Sequence, residues 1–243
     1  MTVSRHNTIR YGLPAVAIAI VTLILPGLLP TASAGSGHYI PIPAAQQTLA
    51  PAADMSAEAV LAGGCFWGME MVFQHVKGVR KVVSGYAGGS KATAHYAAAS
   101  SGRTRHAESV HIFYDPRKIN YSELLRIYFS IAHDPMQRNR QGPDAGPQYR
   151  SEIFALNVAQ KRVAEAYIRQ LDAAGAYARP IATQVAVIRP NQFYPAERYH
   201  QNYGMEHPRS LYIRMYDQPK LRSLAAHFPA YYVDASQIAG ERP

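Results

Sequence analysis

Residues 57–86 read Ala57-Glu58-Ala59-Val60-Leu61-Ala62-Gly63-Gly64-Cys65-Phe66-Trp67-Gly68-Met69-Glu70-Met71-Val72-Phe73-Gln74-His75-Val76-Lys77-Gly78-Val79-Arg80-Lys81-Val82-Val83-Ser84-Gly85-Tyr86, and changes of period within them decide the fold. The run 57–62 is short and apolar and ends in a glycine pair, which fits a buried strand and a tight turn. Apolar residues then fall at 66, 69, 72, 73 and 76, one face of a helix over 66–76 that Gly78 stops. Residues 79–86 read as a second strand.

Outward from this unit, residues 87–106 are rich in Gly, Ser and Ala and form a long loop; loops of that length inside compact domains are usually functional. Residues 109–114 make a strand that Asp115-Pro116 ends. Asn120 with Glu123 resembles a capping box for a helix over 121–132. A polar loop, 133–149, leads into a strand over 150–156. The order strand-helix-strand-strand-helix-strand is the split βαβ, or ferredoxin-like, arrangement, so the expected fold is α/β (α+β), a two-layer plait. Asn157 caps a further helix, 158–174, which Gly175 ends, and 183–188 is an extra strand. The remainder, from Arg189, is rich in Tyr, Pro and His, with a short helix near 220–227.

The chain of 243 residues carries 25 Lys+Arg against 16 Asp+Glu, a formal charge of +9. With 48% hydrophobic and 17% charged residues it is too apolar for a disordered protein. A single Cys excludes an intramolecular disulfide, an all-Cys zinc site and an intrachain dithiol redox pair. Arg5 and Arg10, the apolar run from Leu13 to Leu29 and Ala32-Ser33-Ala34 are the three parts of a secretory signal peptide, so residues 1–34 are expected to be cleaved and the protein exported, to a periplasm. The alternative is an uncleaved membrane anchor, for which the run is short and interrupted by Pro14 and Pro26. Cleavage takes away two Arg and no acid and leaves +7. Those charges are scattered, so no nucleic-acid surface is expected. Residues 35–56 have no apolar period and read as a flexible linker. The catalytic domain is expected over 57–204, with a C-terminal extension, 205–243, packing on it.

Cys65 stands between a glycine turn and a helix start, where unpaired N–H groups and the helix dipole favour thiolate over thiol. A buried, inert thiol is the other reading. For Phe66 and Trp67 the residues alone leave plain core packing open.

The run Gly63-Gly64-Cys65-Phe66-Trp67-Gly68-Met69-Glu70 resembles the signature of the peptide methionine sulfoxide reductase A family, G-C-F-W-G-x-E. The likeness continues in order through Gly85-Tyr86-Ala87-Gly88-Gly89, His106-Ala107-Glu108, Tyr114-Asp115-Pro116 and His133-Asp134-Pro135. It then takes in Asn139-Arg140-Gln141-Gly142 with Asp144, Gln148-Tyr149-Arg150-Ser151, Phe193-Tyr194, Ala196-Glu197 and Tyr199-His200-Gln201. The resemblance implies the same plait and the reduction of methionine S-sulfoxide, free or in oxidised proteins. It implies Cys65 as nucleophile, Glu108 as the acid that protonates the sulfoxide oxygen, and Tyr96 and Tyr149 as its hydrogen-bond donors. By the same resemblance Asp144 is expected to order this polar side, and the rings of Phe66 and Trp67 to make the pocket for the substrate methyl group. A carboxyl with a raised pKa in an apolar pocket suits the acid's task.

Glu70 lies too far along the Cys65 helix to share its face and is expected to be structural. His106, His133 and His200 lack the spacing of a zinc site, and no metal or other cofactor is expected. Arg105 stands where the family has Gly, and His95 where it often has Pro or Thr, which bears on the loop that carries Tyr96. The tail holds no second Cys, so the resemblance is to the one-cysteine type. Electrons are then expected from an external thiol, a thioredoxin-like protein or a small thiol, to a monomeric enzyme. A one-Cys thiol peroxidase, an inactive module that binds methionine-like ligands and a cell-envelope interaction protein are the alternatives.

Overall fold

The computed structural model describes residue 1, residues 39–49 and residues 56–235; the expected signal peptide, apart from Met1, lies outside the described residues. The elements run β1 (Ala57–Gly63), α1 (Phe66–Gln74), β2 (Val79–Ala87), α2 (Tyr96–Ala99), β3 (Ala107–Tyr114) and α3 (Tyr121–Ile127). A short hairpin of β4 (Arg140–Gln141) and β5 (Asp144–Ala145) precedes β6 (Ser151–Ala155) and α4 (Val158–Ala173). Then come β7 (Gln184–Val187), β8 (Phe193–Pro195), α5 (Tyr203–Glu206) and α6 (Gln218–His227).

The main sheet has the order β7-β6-β1-β3-β2-β8. Its central part, β6-β1-β3-β2, is antiparallel throughout and is the expected ferredoxin-like unit; β7 adds in parallel to β6 and β8 antiparallel to β2. Strand periodicity divides the side chains between two faces. Ala59, Leu61, Val82, Tyr86, Val110, Ile112 and Ile153 join the helices in the main core. Val60, Ala62, Ala87, Ala107 and Phe154 form a smaller cluster on the other face. Helix α1 buries Phe66, Met69, Met71, Val72 and Phe73, at about 1.5–3 kcal/mol for each large apolar side chain removed from water.

The helix boundaries follow their caps. Asn120 Oδ1 accepts the Glu123 N–H at 2.9 Å and Asn157 Oδ1 that of Gln160 at 2.8 Å. At the end of α4, Gly175 takes φ +59, and the Gly175 and Ala176 N–H groups return to the Asp172 and Leu171 carbonyls, a Schellman stop. The helix expected over 121–132 continues past α3 as a π-helical turn, Tyr128–Ala132. Both expected long loops carry structure: a 3-10 turn (Lys91–Thr93) and α2 in the first, the β4–β5 hairpin and a 3-10 turn (Pro147–Tyr149) in the second. Strand β8 lacks a sequence signal because it is three residues long and contains Pro195.

Residues 39–49, within the expected flexible linker, have no helix or strand but are tied down along the helices. Ile42 is buried, the Tyr39 ring stacks on His227 at 3.8 Å, and the Ile40 N–H donates to the Ser130 carbonyl. Tyr167 Oη–H donates to the Pro43 carbonyl, and the Gln170 amide pairs with Ala44 and Gln46. Apolar anchors and side-chain partners for its peptide groups hold this strap without any repeating period. The described part of the tail also packs on α1. Lys77 N–H donates to the Tyr231 carbonyl, and Leu224 and Phe228 are buried in the main core.

Candidate active site

Cys65 occupies the N-cap of α1, directly after the turn at Gly64. Gly64 has φ +95, and a Cβ there would lie 2.5 Å from Gln141 Cγ, so both the turn and the close approach of the β4 strand require glycine. On β3, Glu108 has the parity of Val110 and Ile112 and points to the helix side, opposite Tyr86 of β2. It is 3% exposed, and its Oε2 accepts the Phe66 N–H at 3.1 Å. Strand β3 thereby delivers a carboxyl to the first peptide of the helix that carries the thiol.

Burial pushes the Glu108 carboxyl up to about 8, with a further push from Asp144 and an opposing pull from the Phe66 N–H. The acid is therefore protonated near neutral pH. The Cys65 thiol is also held well above its usual range, first by burial and then by the charges of Glu108, Asp217 and Asp144; the Trp67 N–H pulls the other way. This corrects the expectation drawn from the helix start. One favourable N–H does not outweigh burial and three carboxyls.

The aromatic wall is continuous. Phe66 lies 5.9 Å from the Tyr86 ring and 5.0 Å from His200. Trp67 stacks on Tyr203 at 3.8 Å and 13°, and its Nε1–H donates to His200 Nδ1 at 3.2 Å. Tyr96, the first residue of α2, is 38% exposed and reaches the His200 ring at 4.6 Å. Glu197 fixes it there: one carboxylate oxygen accepts the Tyr96 N–H at 2.8 Å and the other the Tyr86 hydroxyl at 2.9 Å. The Tyr149 hydroxyl, at the end of its 3-10 turn, is raised by burial and by the nearby charges of Glu108, Asp144 and Cys65. Asp144, on β5, accepts a short hydrogen bond from the Tyr212 hydroxyl.

All seven expected residues thus converge around the start of α1. Glu70 does not join them: it is 1% exposed and its Oε2 accepts the Asn202 N–H at 2.9 Å, holding the left-handed corner that positions His200 and Tyr203. The three histidines are engaged separately, His133 with Ser151, His106 with the Ser90 carbonyl and His200 with Trp67. Among the described residues no group of His, Cys, Asp and Glu could hold a metal ion.

The tail contributes what the sequence reading lacks. The cavity reaching Cys65 is lined by residues 141–144 and, from the C-terminal segment, by Tyr212, Tyr216 and Lys220. Lys220 Nζ donates to Asp217 Oδ1 at 3.1 Å, and a Cβ on Gly68 would lie 2.0 Å from that oxygen. The bare Cα of Gly68 is the seat of the tail on α1. Only the tyrosine-rich composition hints at this in the sequence.

The chain matches the family model described as peptide methionine sulfoxide reductase over residues 57–231, through the segment set apart from residue 205. It is 54% identical over 181 residues to the peptide methionine sulfoxide reductase MsrA 2 of Mesorhizobium japonicum, covering 74% of this chain and 92% of that one. To the MsrA 2 of Synechocystis sp. it is 52% identical over 171 residues, 70% and 79% of the two chains. Among solved structures, reduced Mxr1 of Saccharomyces cerevisiae superposes with TM-score 0.58 at 31% identity, covering 70% and 96%. Methionine sulfoxide reductase A of Corynebacterium diphtheriae gives 0.52 at 31% identity, covering 65% and 78%. With this fold, this cluster and these relatives, the chain belongs to the peptide methionine sulfoxide reductase family and is an oxidoreductase that reduces methionine sulfoxide.

Proposed function

We propose that the enzyme reduces the S epimer of methionine sulfoxide, free or within oxidised proteins, through a sulfenic acid on Cys65. The observation that carries this reading is the contact of Glu108 with the Phe66 N–H, which sets a protonated acid one residue from the thiol. In the reaction the Cys65 sulfur attacks the sulfoxide sulfur while Glu108 gives its proton to the sulfoxide oxygen. The oxygen passes to Cys65 as a sulfenic acid, methionine leaves, and the thiol proton returns to Glu108. The sulfoxide gains two electrons and Cys65 loses two. Tyr96 and Tyr149 donate to the oxygen, Asp144 orders them, and Phe66 and Trp67 enclose the methyl group, since aromatic walls exclude water and favour a methyl over a polar group.

An external thiol, from a small molecule or a thioredoxin-like protein, then attacks the sulfenic sulfur and releases water. A second thiol frees Cys65. The support for an external donor is the single Cys of the chain. A racemic methionine sulfoxide peptide with dithiothreitol tests the reading. The wild type converts half of it and stops, whereas Cys65→Ser converts none; complete conversion, or turnover by the Ser variant, overturns it.

The protein is further read as exported, on the strength of Arg5, Arg10, the apolar run and Ala32-Ser33-Ala34. N-terminal sequencing from the native host is expected to begin near Gly35, and an intact Met1 in a soluble cytoplasmic fraction reverses this.

A further inference from the structure

Three carboxyls face Cys65: Glu108 from β3, Asp144 from β5 and Asp217 from the C-terminal segment. Tyr96, Tyr149 and Tyr212 also feel its charge. Removing a proton from Cys65 therefore adds an anion to a pocket already rich in acids. Lys220 is the cation in the lining of that cavity. Its side chain is 11% exposed, and its ammonium donates to Asp217, which is 1% exposed. It also lowers the proton affinity of Asp144 on the opposite wall. The second Asp217 oxygen, Oδ2, is buried without a hydrogen-bond partner among the described residues. A buried carboxylate with one free oxygen holds its charge only through its remaining partner.

We propose that Lys220 is a positioning residue for the reductase step: clamped by Asp217, it compensates Asp217 and Asp144 so that Cys65 can give up its proton between them. The tail thereby supplies a counter-charge to the site. Gly68 is part of the device, because its missing side chain lets the Asp217–Lys220 pair lie against the first turn of α1, 2.0 and 2.9 Å from where a Cβ would stand. His133, nearby, is held neutral by its burial and does not compete as a cation.

The inference rests on Cys65 as nucleophile, yet its test does not need turnover. Cys65 is the sole thiol, so its alkylation by iodoacetamide against pH reports on that sulfur alone. In Lys220→Met the midpoint is expected to rise by about one pH unit or more, the size of an effect of one close charge, and in the isosteric Asp217→Asn to fall. Lys220→Arg is expected to stay close to the wild type, and the Lys220→Met/Asp217→Asn double variant to return toward it. Single-turnover reduction at neutral pH follows the same order, with roughly a tenfold loss per pH unit of upward shift. Shifts of the same sign in the two single variants indicate a structural clamp and overturn the proposal. So does a Lys220→Met midpoint equal to the wild type's, in which case Asp217 takes up the proton itself. Turnover by Cys65→Ser fails the nucleophile reading separately and leaves the alkylation result standing.

Discussion

Glu108 Oε2 accepts the Phe66 amide proton at 3.1 Å, which ties the acid on β3 to the peptide that follows Cys65. The contact joins two elements 42 residues apart and holds the Glu108 carboxyl against the first peptide of α1. The proton transfer proposed for Glu108 rests on this placement of a carboxyl that burial keeps neutral.

Glu108→Gln is expected to slow the single-turnover reduction by roughly 10²–10⁴-fold, the usual range for a lost general acid, with the fold intact. Glu70→Gln serves as the control. Its Oε2 accepts the Asn202 N–H, it is assigned no proton transfer, and little change in rate is expected. A Glu108→Gln rate near that of the wild type removes the assigned role.

The raised Glu108 carboxyl also makes a statement about stability, and its sign is fixed. Its pKa rises from 4.5 to about 8 on folding. Below 4.5 both states are neutral and nothing is lost. Between the two values only the unfolded chain ionises, so the folded state loses up to about 1.4 kcal/mol per pH unit. Glu108→Gln lacks this loss. Its melting temperature relative to the wild type is expected to climb from pH 4.5 to pH 8 while its activity stays low. A difference independent of pH, followed by calorimetry, contradicts a buried neutral acid.

Gly68→Ala places a methyl group where the Asp217 carboxylate now lies. The expected outcome is release of the C-terminal segment from α1, seen as faster proteolytic cleavage within residues 205–227 and a loss of activity exceeding the loss of stability. Ala has the higher helix propensity, so an isolated helix effect predicts the opposite sign. Unchanged cleavage shows that the tail is not seated at Gly68.

Without reductant, one turnover is expected to leave a single added oxygen on the peptide containing Cys65, the first step of thiol oxidation. A monothiol then converts it to a mixed disulfide and to the free thiol, both visible by mass spectrometry. Release of methionine with neither adduct formed rules out the cycle.

The local code of the chain determined much of this protein. Period changes set β1, α1 and β2, Asn120 and Asn157 set two helix starts, and Gly175 set a stop, because each depends on neighbours within a few residues. The Cys65 motif and Glu108 are picked out in the sequence by their resemblance to the family's motifs. The tertiary structure decided the charge state of Cys65 and the place of the tail. Helix start and dipole favour a thiolate, yet Glu108, Asp144 and Asp217 arrive from 43, 79 and 152 residues away in sequence and, with burial, outweigh them. Lys220 reaches the site only because α6 packs along α1, where Gly68 leaves room. Electrostatics in a buried site sums over everything near in space, and the order of residues along the chain does not encode which distant charges those are.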